Sequence, residues 1–278
     1  MIATVPGTGG VAGAATTKTA FYLDLGASQS VGVQPVAGSR HGQPTNRGYA
    51  NYLVAMEAAK GVSLQLTQLG CPGEATTIMI SGKDHCYKGI DSQLADAVAF
   101  LRSHQNQVGV VTVELGFNNA GHCLSAAALI DSCMNSRMSV LSQQLSQILS
   151  TLKAAAGPNV TIIGLGHADP FLAYALNGTA GTASANASLK VIEQLNATLS
   201  SVYSSFAIPM VDVAGAFNMT QTNLIAFGGA GSVALNVAQA CRLTWMCPPA
   251  PQSPNMHPND AGYRVIASAI AAMLPSTL

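Results

Sequence analysis

Hydrophobic and polar positions fall into two alternating textures along this chain. Short, nearly continuous apolar runs rich in β-branched residues occur at 21–25, 62–69, 108–115, 160–165 and 207–213. Runs this brief and this apolar predict strands buried on both faces. Between them, the stretches near 48–59, 92–104, 137–156 and 185–206 carry helix-like patterns. A final helix is expected over 261–274, begun by Asn259-Asp260 and ended near Pro275. Strand–helix alternation at this spacing predicts an α/β fold with a parallel sheet covered on both faces. Ligands of such sheets bind beyond the carboxyl ends of the strands. Ser28 follows the first strand, Gly73 the second and Asn118 the third, so the pattern puts all three on one rim.

Two segments are less regular, 124–135 and 218–254. The second is Gly/Ala-rich, then Pro-rich, holds Trp245, and is expected to form a wall of the site and its one lid candidate. No long Pro/Gly/Ser-rich linker interrupts the apolar segments, which predicts one domain over 19–278 behind a flexible tail at 1–18. The Gly-rich run Gly7-Thr8-Gly9-Gly10-Val11-Ala12 has no preceding strand, so a dinucleotide fingerprint is excluded there.

Composition narrows the partners. Hydrophobic residues make up 49% of the 278 positions and charged residues 9%, enough for a large core under a neutral surface. Twelve basic and twelve acidic side chains cancel and form no basic stripe, which argues against nucleic acid as a partner. The longest apolar run, near 266–274, is far too short to span a bilayer. Residues 1–17 lack the charged start and apolar stretch of a signal peptide and are expected to be the head of a mature secreted protein with an initiator Met added.

The six cysteines fall into local pairs, Cys71 with Cys86, Cys123 with Cys133 and Cys241 with Cys247. Fifteen connectivities are open, and the local one is preferred because each pair brackets a single loop. Disulfides of this kind point to an oxidising, extracellular compartment. No C-x-x-C occurs, and His85 and His122 give no zinc spacing, so neither metal nor other cofactor is expected. Five Asn-x-Ser/Thr sequons, at Asn159, Asn177, Asn186, Asn196 and Asn218, are expected to be mostly accidental in so Ser/Thr-rich a chain.

Chemistry concentrates at the two ends of the chain. Gly26-Ala27-Ser28-Gln29-Ser30 puts a serine on what is expected to be a tight strand-to-helix turn, and His257-Pro258 lies near the end. A serine hydroxyl needs a base to take its proton as it attacks a carbonyl, and a late histidine supplies one. Alone, Ser28 would be a solvated turn serine, Gly73 a turn glycine, Asn118 a loop asparagine and His257 an exposed loop residue.

Together the four resemble the GDSL, or SGNH, family of serine ester hydrolases. Gly26-Ala27-Ser28-Gln29-Ser30 is similar to its first block and Cys71-Pro72-Gly73-Glu74-Ala75-Thr76 to its second. Gly116-Phe117-Asn118-Asn119 is similar to the third, and Pro254-Asn255-Met256-His257-Pro258 to the fourth. The resemblance runs in family order over 20–274. It implies a three-layer, flavodoxin-like fold with a five-stranded parallel sheet, Ser28 as nucleophile and His257 as general base. It also implies an oxyanion hole of the Ser28 and Gly73 backbone N–H groups and the Asn118 amide.

The chain departs from the family pattern at three places. Ala27 and Asn119 stand where loop-supporting Asp residues are usual, and Pro254 stands where the acid partner of the histidine is expected. Asp24, Glu114 and Asp212 lie near strand ends but reach His257 only by an unusual path, so they are read as structural, and Asp260 as a helix N-terminal residue. A neutral acceptor must then orient His257: the carbonyl of Ser253 or Pro254, or the side-chain oxygen of Asn255.

The expected activity is that of a secreted, monomeric esterase acting on small acyl esters through an acyl-enzyme. A carbohydrate acetylesterase or lipase of the same mechanism is the alternative within the class, and a non-catalytic binding module on the same fold the alternative outside it.

Overall fold

The structure is a computed structural model that describes residues 19–83, 85–87, 91–125, 128–129 and 131–275. The tail expected over 1–18 lies outside them. Five strands form the central sheet: β1 (Ala20–Gly26), β2 (Leu64–Gln68), β3 (Val108–Glu114), β4 (Thr161–Leu165) and β5 (Met210–Val211). They are parallel and ordered β2-β1-β3-β4-β5. The longer helices are α1 (Tyr49–Ala59), α2 (Thr76–Ser81), α3 (Gln93–Ser103), α4 (Asp131–Ala156), α5 (Gly178–Ser205), α6 (Leu235–Leu243) and α7 (Asp260–Ala271).

Alternate strand residues point to opposite faces, and here both faces are covered. Leu23, Leu25, Val111 and Val113 pack with Leu101 of α3, Leu145 of α4 and Leu195 of α5. Tyr22, Val110, Ile163 and Leu165 pack with Leu53 of α1, Ala240 of α6 and Ile266 of α7. The three layers explain why the strands read as unbroken apolar runs. The resulting strand order is the flavodoxin-like one. Its chain leaves β1 for β2 on one side and then crosses to β3 on the other, so a crevice opens at the carboxyl ends of β1 and β3.

Several expectations are corrected. The Ser28 turn does not lead into a helix: a hydrogen-bonded turn and a two-residue ladder, Gln34–Pro35 with Gly42–Gln43, intervene before α1. The segment expected to be irregular up to 135 is helical from Asp131, because Met134 and Met138 already bury the α4 face among the polar Ser132, Asn135 and Ser136. Helix α5 likewise begins seven residues before the expected 185, at Gly178. Strand β5 is shorter than its apolar run, since Ala207 has φ 53° and Asp212 caps the short helix Val213–Ala216. Finally, 218–254 contains α6 and the hairpin Leu224–Ala226 with Ser232–Ala234.

The local disulfide pairing is present: Cys71–Cys86, Cys123–Cys133 and Cys241–Cys247. No helix among the described residues is long and apolar enough to cross a membrane.

One acid is buried in the middle of this sheet. Asp24 on β1 is fully enclosed and accepts hydrogen bonds from Tyr49 Oη (2.7 Å), Thr112 Oγ1 (2.7 Å) and Gln68 Nε2 (3.3 Å). Loss of hydration outweighs these donors and pushes its pKa up to about 7. The folded chain therefore holds a proton that the unfolded chain releases from about pH 4 upward. Its contribution to stability is full in acid and declines as pH rises toward 7. Asp24→Asn should flatten this part of the decline, which thermal melts between pH 4 and 8 would measure; an unchanged slope would contradict the assignment.

Candidate active site

The Ser28 turn is held by side chains from distant parts of the chain. Gly26, at φ 145°, ends β1 where a Cβ would run into the Glu114 carbonyl, so only glycine permits this approach. The Gln93 amide at the head of α3 pairs with both backbone groups of Gly26. Its Oε1 accepts from the N–H at 2.6 Å and its Nε2 donates to the carbonyl at 3.0 Å. The Ala27 N–H is shared between the Glu114 main-chain oxygen (3.1 Å) and Glu114 Oε2 (3.0 Å). Backbone N–H groups of Gln29 and Ser30 also stabilise this carboxyl. Gln68 Nε2 donates to the Ser30 carbonyl at 2.6 Å, and Ser30 Oγ donates back to Ala27 O at 2.7 Å. These contacts leave Ser28 half-buried at the mouth of the crevice.

The second and third loops lock to each other. The Cys71 N–H donates to the Gly26 carbonyl at 3.0 Å, which carries the Gly73 turn alongside the Ser28 turn. Gly73 has φ 88°, a conformation that favours glycine, and is exposed. Asn118, in the short helix Phe117–Ala120 after β3, donates one Nδ2 hydrogen to the Glu74 carbonyl at 2.8 Å. Asn119 is buried and faces Thr76, giving Nδ2–H to Thr76 Oγ1 at 2.8 Å and accepting the Thr76 N–H at 3.3 Å. A neutral amide thus braces the third loop where the family pattern has an acid.

His257 lies in the strand Asn255–Pro258, which pairs antiparallel with Thr244–Trp245. Asn255 Oδ1 accepts the His257 backbone N–H at 3.0 Å and lies 2.7 Å from ring Nδ1. At its other end Asn255 Nδ2 donates to the Arg40 carbonyl at 2.8 Å. A carbonyl can only accept, so the nitrogen of this amide must face Arg40 and the oxygen must face His257. Nδ1 therefore carries the hydrogen, and Nε2 holds the lone pair. Of the three acceptors considered for this ring, Asn255 is the one in contact. Burial without a charged partner lowers the His257 pKa to about 4.

Ser28, Gly73, Asn118 and His257 line one cavity of about 240 Å³, together with Glu114, Val33, Gly42 and Met256. Among the described residues Ser28 Oγ makes no hydrogen bond to His257. An apolar side chamber of about 220 Å³ adjoins it through Phe117, Asn118 and Met256, and is walled by Phe171, Val191 and Ile192. A larger hollow of about 440 Å³ lies at the amino ends of the strands, around Ala20, Val108 and Pro158, and gathers no nucleophile or titratable group.

The 218–254 segment does not line the 240 Å³ cavity; it stands behind it. Thr244–Trp245 backs the histidine strand, and Trp245 Nε1 donates to Gln34 Oε1 at 3.1 Å. The tether matters more than the wall. Asp260 opens α7 as expected and also holds Arg47 (3.0 Å) and Gln34 Nε2 (2.9 Å). Gln93 and Gln68 carry no signal in the sequence, and Glu114 reads there as merely structural, because contacts between distant side chains and backbone leave no periodic pattern.

The chain belongs to the GDSL-like Lipase/Acylhydrolase family, which matches residues 25–265. No curated protein matches it in sequence. Among solved structures it is similar to phospholipase A1 from Streptomyces albidoflavus NA297, at 18% identity and TM-score 0.58, covering 91% of this chain and 98% of that one. It is similar to an extracellular lipase from Streptomyces rimosus, at 20% identity and TM-score 0.56, covering 90% and 99%. A lipase from the goat rumen metagenome follows at 15% identity and TM-score 0.55, covering 91% and 96%. These likenesses establish a shared fold. Family membership makes an ester hydrolase of it.

The neutral partner of His257 has a measurable consequence. Replacing the amide by a carboxylate, Asn255→Asp, supplies a negative charge that favours imidazolium. The His257 pKa should rise by more than one unit, read from its ring resonances in an NMR titration. A pKa unmoved by the change would contradict the Asn255–His257 contact.

Proposed function

We propose that this protein is a secreted serine esterase that hydrolyses small acyl esters through an acyl-enzyme, with Ser28 as nucleophile and His257 as base. The observation that carries the reading is the Asn255 amide, which leaves His257 Nε2 as an acceptor in the cavity that holds Ser28. In this mechanism Nε2 takes the Ser28 proton as Oγ attacks the ester carbonyl. The oxyanion is received by the backbone N–H groups of Ser28 and Gly73 and by the second Nδ2 hydrogen of Asn118. Collapse expels the alcohol, protonated by His257, and water then releases the acid by the reverse relay.

A neutral acceptor stabilises the imidazolium less than a carboxylate does, which fits the lowered pKa of His257. The base is then unprotonated from about pH 5 upward. The adjoining apolar chamber suits the acyl group, and its modest size favours short chains over long lipid tails. Three disulfides support an extracellular site of action.

Ser28→Ala should lower turnover of p-nitrophenyl acetate and butyrate by about a thousandfold or more. Equal rates for wild type and variant would overturn the serine mechanism. The kcat/KM of the wild type should rise with pH through about 4 and be level near neutrality, since the protonated ring cannot act as base. A rate still climbing between pH 8 and 9 in one step would argue against His257 as that base. Narrowing the chamber with Ile192→Phe should cut the butyrate-to-acetate rate ratio severalfold, and an unchanged ratio would remove the chamber from the acyl path.

A further inference from the structure

Beneath the Ser28 turn lie two buried titratable groups that the mechanism does not use. Glu114, at the end of β3, and His167, just past β4, are 1% and 0% exposed. His167 Nε2 is 2.9 Å from the Leu115 carbonyl oxygen. A carbonyl only accepts, so Nε2 carries the hydrogen and Nδ1 presents a lone pair. That Nδ1 is buried, has no hydrogen-bond partner among the described residues, and faces Glu114 Oε1 at 3.6 Å.

The Leu115 hydrogen bond and the packing around it hold the imidazole in this orientation. Asn196 clamps the His167 backbone from both sides, accepting its N–H and donating to its carbonyl, each at 2.8 Å. The Phe117 ring packs against the imidazole, with centroids 5.7 Å apart. Two acceptor atoms facing each other repel unless a proton lies between them, and on the His167 side the atom is buried with no other partner among the described residues. Meanwhile the other carboxyl oxygen, Oε2, accepts the Ala27 N–H, one residue before Ser28.

We propose that Glu114 and His167 share one proton and together act as a positioning pair, in which Oε1 carries the proton toward His167 Nδ1, the 3.6 Å separation closing by a few tenths of an ångström to a hydrogen bond, while Oε2 anchors the Ser28 turn. The donor chain runs from Glu114 Oε1–H to Nδ1, and from Nε2–H to Leu115 O, with no net charge. Burial agrees with this form, pushing Glu114 up to about 8 and His167 down to about 4. The other titratable groups within electrostatic reach of Glu114 are Asp24 on β1 and Tyr49, Tyr203 and Tyr263, whose hydroxyls donate to Asp24, the Val113 carbonyl and the Val33 carbonyl, and His257 lines the same cavity. None of these contacts His167 Nδ1. The pair puts a carboxyl under the very turn where Ala27 lacks one.

The catalytic consequence rests on the ester-hydrolase reading; the proton pair itself does not. Three forms of the full chain test both: wild type, Glu114→Ala and Glu114→Gln. Gln keeps an oxygen for the Ala27 N–H and offers an N–H to His167 Nδ1, but cannot titrate. With p-nitrophenyl acetate, Glu114→Ala should lose about tenfold to a hundredfold in kcat with little change in KM, as a displaced nucleophile does. Glu114→Gln should recover most of that loss. Wild-type kcat should fall as pH passes about 8, and Glu114→Gln should lack this fall.

A kcat of Glu114→Ala equal to wild type, or an identical alkaline fall in Glu114→Gln, would overturn the positioning role. Separately, carbon-13 NMR of glutamate-labelled wild type, assigned with Glu114→Gln, should find the Glu114 carboxyl still protonated at pH 6 to 7, with nitrogen-15 NMR placing the His167 hydrogen on Nε2. An ionised Glu114 carboxylate at that pH, or an Nδ1–H tautomer, would overturn the shared proton. If every form is inert on esters while Glu114 stays protonated, the ester-hydrolase reading fails and the proton pair stands.

Discussion

The site depends on the orientation of one amide. Asn255 is caught between the Arg40 carbonyl, which can only accept, and the His257 ring, and its oxygen is thereby turned to Nδ1. Reversing that amide would set a nitrogen donor against the ring and leave the Arg40 carbonyl facing an oxygen. With the oxygen in place, the lone pair of His257 is confined to Nε2, in the cavity that Ser28, Gly73 and Asn118 also line. Without it, the tautomer of His257 would be undefined. The surrounding architecture serves this arrangement: Thr244–Trp245 backs the histidine strand, and Trp245 ties that ladder to Gln34 near the Ser28 turn.

The same economy recurs at each place where the chain departs from the family pattern. Where an Asp would support the first loop, Ala27 offers only its N–H, and Glu114 reaches over from the neighbouring strand to accept it. Where an Asp would support the third loop, Asn119 exchanges two hydrogen bonds with Thr76. Where an acid would orient the histidine, Asn255 does so. Glutamines do comparable work, Gln93 on Gly26 and Gln68 on Ser30. In a chain with 9% charged residues, neutral amides hold the site at small desolvation cost, since an amide buried with its partners satisfied costs far less than an unpaired carboxylate.

Much of the fold was legible because buried parallel strands and amphipathic helices each leave a period in the chain. The runs that became β1, β3 and β4 were located to within a residue or two, and the rim carrying Ser28, Gly73 and Asn118 followed from their order. What was not legible has physical reasons. The first two turns of α4 carry Asp131, Ser132, Asn135, Ser136 and Arg137 and hide its periodicity, although Met134 is already in the core. The apolar run ending at Val213 overstates β5, because Asp212 spends its side chain capping the next helix. The 218–254 segment was expected to wall the cavity from composition alone, whereas pairing with the histidine strand sets its place. Gln93, Glu114 and His167 act on backbone groups or side chains 52 to 87 residues away, at separations no local pattern encodes.

The most direct test of Ser28 as nucleophile is covalent. Treating the protein with an alkyl phosphonate electrophile at pH 7, then locating the adduct by peptide mass spectrometry, asks which oxygen is the activated nucleophile and whether the histidine activates it. A Ser28–His257 mechanism predicts a single adduct on Ser28, formed far more slowly when His257 is replaced by Ala. An adduct confined to another residue, or none at all on the folded protein, would contradict it.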